Sequence, residues 1–448
     1  MYERGIGYLS FDPNTWYSLT KGESTIKHTL TNTRSAAAIL AALVLACLCS
    51  CATSFGKRTV YHYEPAYGVA SPEFERFLAT QAGGLPGGNQ VTLLNNGNAF
   101  FPAILEAIRA SKTSVNIELY IFAKGKMAER FVEALSAKAR EGIEVRVLVD
   151  SVGERLGKLA DQMRAAGVKF QIYKPMKLRS IAKAGDRTHR KIITVDGRVG
   201  FTGGLAIDDH WAGDARNPAE WRDTVVRLEG PVVLLLQRLF LQNWLYTTGD
   251  FLDGDGQFPV VHRAGDIKAQ AIGSSRTSQL SFAKLHYYMP IRAARDHIWI
   301  ENAYFLPDAD LKAALCAAAR RGVDVRIVVP GQYIDLKAVR YASRGNYREL
   351  LEAGVKIYEF QPTMLHSKVM VVDNVWSSIG SINFSSRSMK ANAEANVTIY
   401  DQAFAGQVKG VIEADIARSE EIMLEQWKHR SLWQRIREGY FGLYKELF

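Results

Sequence analysis

"RTHRKIITVDG" at residues 187–197 and "MLHSKVMVVDN" at residues 364–374 share one arrangement in a chain with nine histidines: a histidine, a lysine two residues on, and an aspartate seven residues on. In "HRKIITVDGRVGFTGG" an apolar-rich run reaches an Asp-Gly pair and a second run follows, which predicts a strand, a tight turn and a returning strand. Residues i and i+2 of a strand face the same way. His189 and Lys191 therefore project together, as do His366 and Lys368, with Asp196 and Asp373 at the turns. Each returning strand ends in small residues, Gly203-Gly204 and Gly380-Ser381, which permit a ligand or another backbone to come close. Turn chemistry alone favours aspartate before glycine or asparagine, so Asp196 and Asp373 take a supporting place in the motif.

Outward from these motifs the chain repeats itself. The first half runs helix "AFFPAILEAIRAS", strand "SVNIELYIF", helix "MAERFVEALSAKAREG", strand "IEVRVLVD", motif; the second runs "SFAKLHYYMPIRAARD", "HIWIENAYF", "ADLKAALCAAARRG", "VDVRIVVP", motif. Matching landmarks keep their separation: Glu118 to Glu301 is 183 residues, Gly142 to Gly322 is 180 and His189 to His366 is 177. This is an internal duplication. Strands alternating with helices predict the α/β class, with two tandem lobes whose sheets are mixed but mostly parallel and flanked by helices. The expected lobes span 91–248 and 277–404, joined by a connection at 249–276 and followed by helices at 405–448.

With 448 residues, 47% of them hydrophobic and 23% charged, the composition is that of an ordered globular chain and excludes a disordered one. The net charge of +10 predicts an anionic partner, and polynucleotide and anionic membrane both qualify. One histidine and one lysine from each half suit phosphoryl transfer. Ammonium groups hold the non-bridging oxygens of a phosphodiester, one imidazole attacks phosphorus, and the other protonates the leaving alkoxide and then deprotonates the incoming alcohol or water.

The doubled motif resembles the phospholipase D superfamily, over roughly residues 91–448. The resemblance implies an active site at the pseudo-twofold lobe interface, a phosphohistidine intermediate, and transfer without metal or cofactor by a monomer. It carries over His189, Lys191, Asp196, His366, Lys368 and Asp373 as catalytic residues. "HSKVMVVDNVWSSIGSINFS" adds Ser381 and Asn383, and the first half adds Gly203 and Gly204, although Ala206 stands where the family commonly has asparagine. An acidic residue follows each motif, Asp223 and Glu394, and the resemblance implies that these orient an imidazole. By analogy His189 is the nucleophile and His366 the general acid/base; the symmetry of the sequence leaves that order open. "GNQVTLLNNGNAFFPAILEAIRASKTSVNIELYIF", "WRDTVVRLEGP" and "IENAYFLPD" look most like bacterial cardiolipin synthases. That implies phosphatidyl transfer between phosphatidylglycerol molecules with release of glycerol. A phospholipase or a nuclease of the same fold is the alternative, and a binding protein that has lost catalysis a third; no nucleic-acid partner is expected.

Cys47, Cys49 and Cys51 crowd "RSAAAILAALVLACLCSCATSFGKR" at residues 34–58, whose basic start, apolar run and small residues before cysteine resemble a bacterial lipoprotein signal. This implies cleavage before Cys51, lipidation of its thiol, and a membrane-associated enzyme in the cell envelope, anchored facing the periplasm. An uncleaved anchor and a buried apolar helix compete with it. Residues 52–90, rich in Gly, Pro, Ser and Tyr, read as a tether. At the other end Trp427, Trp433, Tyr440, Phe441, Tyr444 and Phe448 mix with Lys428, Arg430, Arg435, Arg437 and Lys445. Such helices either sit at a membrane interface or dock on the lobes.

Overall fold

The computed structural model describes residues 61–80, 83–175, 187–274 and 281–448. The signal segment and Cys51 lie outside the described residues. In the first half, strands β1 (Gln90–Asn95), β2 (Ser114–Leu119), β3 (Phe122–Ala123), β4 (Glu144–Asp150), β5 (Glu154–Arg155), β6 (Lys169–Tyr173), β7 (Ile192–Val195), β8 (Val199–Gly203) and β9 (Thr224–Glu229) follow in order. The second half supplies β10 (Lys268–Ser274), β11 (His297–Asn302), β12 (Asp324–Pro330), β13 (Lys356–Phe360), β14 (Lys368–Val372), β15 (Trp376–Gly380), β16 (Glu394–Tyr400) and β17 (Ser419–Glu421). One sheet has the order β1-β9-β8-β7-β2-β4-β6 and the other β10-β16-β15-β14-β11-β12-β13-β17, so the second repeats the first strand for strand and adds β17 at its edge. The strands β3 and β5 pair by themselves.

The two α/β lobes expected from the duplication are present, but their sheets are mixed with antiparallel pairs in the majority: within the two main sheets the parallel pairing is confined to β2-β4-β6 and β11-β12-β13. The reason lies in the connections. Helices Lys126–Arg140 and Ala309–Arg320 carry the chain back across the sheet, so the next strand runs parallel. The motif strands instead turn on Asp196-Gly197 and Asp373-Asn374, all four with positive φ, and return antiparallel.

Among the described residues, two large apolar clusters pack against the first sheet and between the halves. On one face of the first sheet, Phe100, Ile104, Phe131 and Leu135 of helices Gly97–Ala110 and Lys126–Arg140 pack on Val115, Ile117, Val145 and Val147. The second cluster is shared between the halves. Leu236, Phe240 and Trp244 of helix Val232–Thr248 join Val226 and Leu228 of the first sheet, Val371 and Val397 of the second, and Phe404, Val408 and Ile412 of helix Gln402–Ile416. The unusually apolar "VVLLLQRLFLQNWL" is thus a core helix. Among the described residues no helix is long and apolar enough to cross a membrane.

Three boundaries differ from expectation. Residues 62–90 belong to the same compact unit as both sheets. Within them helix Pro72–Ala79, capped by Ser71, buries Phe74 and Leu78, and Glu75 pairs with Lys268; its short apolar spacing was masked by the surrounding Gly and Pro. The strand β10 falls inside the expected connection, because "KAQAIGS" is poor in β-branched residues, although Lys268 stands 178 residues after Gln90 of β1, as the repeat requires. Helix Gln402–Ile416 packs into the shared core and β17 pairs on the edge of the second sheet, so the aromatic-basic tail begins only at Leu424.

Candidate active site

Symmetric pairs of backbone contacts tie the motifs across the halves. The N–H of His189 donates to the carbonyl of Ala393 at 2.8 Å, and the N–H of His366 donates to that of Arg222 at 2.7 Å. Thr188 bridges Ala393 in parallel, and Leu365 bridges Arg222. Each histidine therefore starts beside the acidic residue of the opposite half. His189 Nδ1 lies 2.9 Å from Glu394, and His366 Nδ1 lies 2.9 Å from Asp223. Both carboxylates are fully buried.

Other partners fix these pairs. Asp223 accepts from Trp211 Nε1 at 2.8 Å and Glu394 accepts from Ser381 Oγ at 2.6 Å. Trp211 packs edge-on to His366 at 5.0 Å, as Tyr120 does to His189 at 5.1 Å. Lys191 Nζ donates to the carbonyl of His189 at 2.7 Å, and Lys368 Nζ lies 3.1 Å from the ring nitrogens of His366. A cavity of about 380 Å³ is lined by His189, Lys191, Gly204, Ala206, His366 and Asn383 among others.

Burial dominates the protonation states. It lowers His189 to about 4, with Lys191 and Lys368 pushing the same way and Glu394 opposing. His366 is also lowered, by burial and then by the charge of Lys368. Burial drops Lys368 to about 8 and Lys191 well below the ordinary lysine value. Burial pushes Asp223 and Glu394 upward, but their imidazole hydrogen bonds and the neighbouring lysines outweigh it, and both stay low. At neutral pH the pairs are therefore carboxylate with neutral imidazole. The carboxylate fixes the proton on Nδ1 and leaves Nε2 with a lone pair.

The same burial predicts acid sensitivity. His286, with Nε2 2.6 Å from Ser378 Oγ, is lowered to about 3 by burial. An unfolded histidine takes its proton near pH 6.5, so below that pH the unfolded state binds more protons and stability falls until the folded value is reached. His286→Gln removes one such group. Between pH 6.5 and 5 the variant is expected to lose about 2 kcal/mol less stability than the parent, measured by denaturant unfolding. Identical pH slopes would contradict this.

The remaining sequence candidates fall in several places. Asp196 accepts from the N–H groups of Lys112, Thr113 and Ser114 at 2.7–3.1 Å, and Asp373 from those of Arg295, Asp296 and His297 at 2.8–3.0 Å. Both fasten the start of a neighbouring strand, and neither lines the cavity. Their supporting place is therefore structural. A side chain at Gly203 would meet the carbonyl of Thr224 at 2.3 Å, and one at Gly204 would meet Asp223 at 2.3 Å, so these glycines admit β9 and its carboxylate. Ser381 serves Glu394, while Asn383 lines the cavity with its buried Oδ1 unpartnered among the described residues. Several site residues received no role from the sequence, among them Trp211, Tyr120 and two buried glutamates. Glu118 accepts from Thr188 Oγ1 and Glu301 accepts from Ser367 Oγ, at equivalent places behind the two motifs. Their equal spacing in the repeat was the available signal.

A family model described as cardiolipin synthase, PLD-like domain, matches residues 104–216 and 288–416. Cardiolipin synthase 2 of Bacillus anthracis is 36% identical over 359 residues, covering 79% of this chain and 70% of that protein. The cardiolipin synthase of Geobacillus kaustophilus is 36% identical over 357 residues, covering 78% and 71%. Among solved structures, a phosphatidylserine synthase of Haemophilus influenzae superposes with a TM-score of 0.64 at 14% identity, covering 84% of this chain and all of that one, which speaks to the fold.

Proposed function

Because the chain belongs to the cardiolipin synthase family of phospholipase D-like enzymes, we propose that it moves a phosphatidyl group from one phosphatidylglycerol to the terminal hydroxyl of another, releasing glycerol. The observation that carries this reading is the crossed pair, His189 with Glu394 and His366 with Asp223, on one cavity. His189 Nε2 attacks phosphorus and the bond to the glycerol oxygen breaks, giving a phosphohistidine. His366, protonated when the anionic substrate joins Asp223 beside it, hands its proton to the leaving alkoxide. The acceptor hydroxyl then gives its proton to His366 and attacks the phosphohistidine, which restores His189. The stronger depression of His189, to about 4, favours it as the neutral nucleophile. Lys191 and Lys368 meet the charge on the non-bridging oxygens, and no metal or cofactor enters.

The tail supports a membrane substrate. Helix Leu432–Gly442 docks by one face, with Phe441 stacked on Tyr341 and Glu438 paired with Arg344 and Arg430. Its other side and the residues after it leave Trp433, Leu443 and Leu447 72%, 79% and 65% exposed. Leu447 and Phe448 also line the cavity with Leu336. Such a surface inserts at the headgroup level and brings lipid to the site.

The test is to incubate the purified protein with phosphatidylglycerol vesicles, without added metal, and identify the products by mass spectrometry. Cardiolipin and glycerol in equal amounts are expected. Phosphatidic acid without cardiolipin would replace transfer with hydrolysis. A Leu443→Ser, Leu447→Ser variant is expected to lose vesicle binding in a sedimentation assay, and unchanged binding would contradict the role given to the tail.

A further inference from the structure

The cavity also contains three guanidinium groups that the transfer chemistry does not use: Arg155, Arg187 and Arg387. They gather on the side of Tyr120, whose hydroxyl feels all three, and Asp150 feels Arg187 and Arg387. Arg187 is anchored. It donates to Ser151 Oγ at 2.7 Å and to the carbonyl of Lys174 at 3.1 Å, and lies 3.7 Å from Asp150. The other two are held more loosely. Arg155, on the edge of the small β3-β5 pair, is exposed. Among the described residues the side chain of Arg387, on the short helix Ser386–Lys390, reaches Asn392 Oδ1 and the carbonyl of Leu447, each at 3.5 Å. Among the described residues neither forms an ion pair with a carboxylate, whereas the two aspartates of the cavity wall are engaged, Asp208 with His210 and Asp335 with Tyr304.

Transfer between two molecules of an anionic lipid places two phosphodiester anions in one cavity, where they repel each other unless each has its own cations. Lys191 and Lys368 stand against the histidines and serve the reacting phosphorus. A guanidinium presents a planar fork that matches a pair of non-bridging oxygens.

We propose that Arg155 and Arg387 form a second anion subsite that takes the phosphodiester of the acceptor lipid, so that the site selects an anionic lipid alcohol over a neutral alcohol or water. The proposal rests on the transfer reading above and names the basis of its acceptor choice. Its test uses two acceptors with one donor. Full-length enzyme is given phosphatidylglycerol vesicles with labelled glycerol; cardiolipin formation reports the anionic acceptor, and label entering phosphatidylglycerol reports the neutral one. In Arg155→Gln and Arg387→Gln the ratio of cardiolipin formation to glycerol exchange is expected to fall roughly 10- to 100-fold, the loss of a charge-assisted contact. Arg387→Lys, which keeps the charge, is expected to fall between. A ratio equal to the parent's in both Gln variants overturns the subsite, because loss of fold or of donor binding lowers the two rates together. Absence of both products from the parent enzyme sinks the transfer reading and the subsite with it.

Discussion

His189→Ala is expected to abolish phosphatidyl transfer, by at least about 10⁴-fold, for every substrate, because no other group can form the covalent intermediate. His366→Ala is expected to behave differently. With phosphatidylglycerol the alkoxide leaving group needs a proton, and the loss is roughly 10²–10⁴-fold. With the p-nitrophenyl ester of phosphatidic acid the leaving group departs unprotonated. The His366→Ala enzyme is then expected to release a burst of nitrophenolate stoichiometric with enzyme, and to stall, since no base remains to activate the acceptor. The asymmetry separates two residues that geometry makes nearly equivalent. Each meets a buried carboxylate of the opposite half at 2.9 Å, and each lies beside a lysine. A burst from His189→Ala, with none from His366→Ala, would exchange their roles.

The second large effect concerns Arg222, which precedes the carboxylate partner of His366. It is buried, donates to Asp415 at 2.6 Å and to the carbonyl of Asp223 at 2.6 Å, and lies 3.7 Å from Glu301. It thereby joins β9 of the first sheet to helix Gln402–Ile416 and to β11 of the second. Glu301 is already pushed to about 8 by burial and by Asp415, with Arg222 the cation that opposes this. Glu301 is therefore protonated at neutral pH, and Arg222→Met leaves the Asp415 carboxylate buried without its cation, which is expected to cost about 3–5 kcal/mol in denaturant unfolding. Replacing the whole triad, by Arg222→Met with Asp415→Leu and Glu301→Gln, is expected to recover most of that loss, because the cost lies in the unpaired charge of Asp415. A single-variant cost below about 1 kcal/mol would show that the triad does not bind the halves.

The duplication and both motif hairpins were legible because they are local: a histidine and lysine two apart on a strand, an aspartate at a turn, and landmarks about 180 residues apart need no tertiary knowledge. The crossed pairing was not. Asp223 follows His189 by 34 residues and Glu394 follows His366 by 28, so pairing within each half was equally open. What decides it is the pair of bridges at Thr188–Ala393 and Arg222–Leu365, which form only once the two sheets meet. The place of Asp196 and Asp373 was half legible, since turn chemistry announced their position but not the three N–H groups each one caps. Arg387 sits in "NFSSRSMKAN" without periodicity or spacing to mark it, and only the fold places it on the same cavity as Arg155.

The central claim is that His189 carries the phosphatidyl group between donor and acceptor. The most direct measurement mixes His366→Ala enzyme with the p-nitrophenyl ester, quenches in alkali during the burst, and maps the modified peptide by mass spectrometry. A glycerophosphoryl adduct on His189, with the acyl chains removed by the alkali, is the predicted result. Nitrophenolate release with no adduct on His189 would contradict the account.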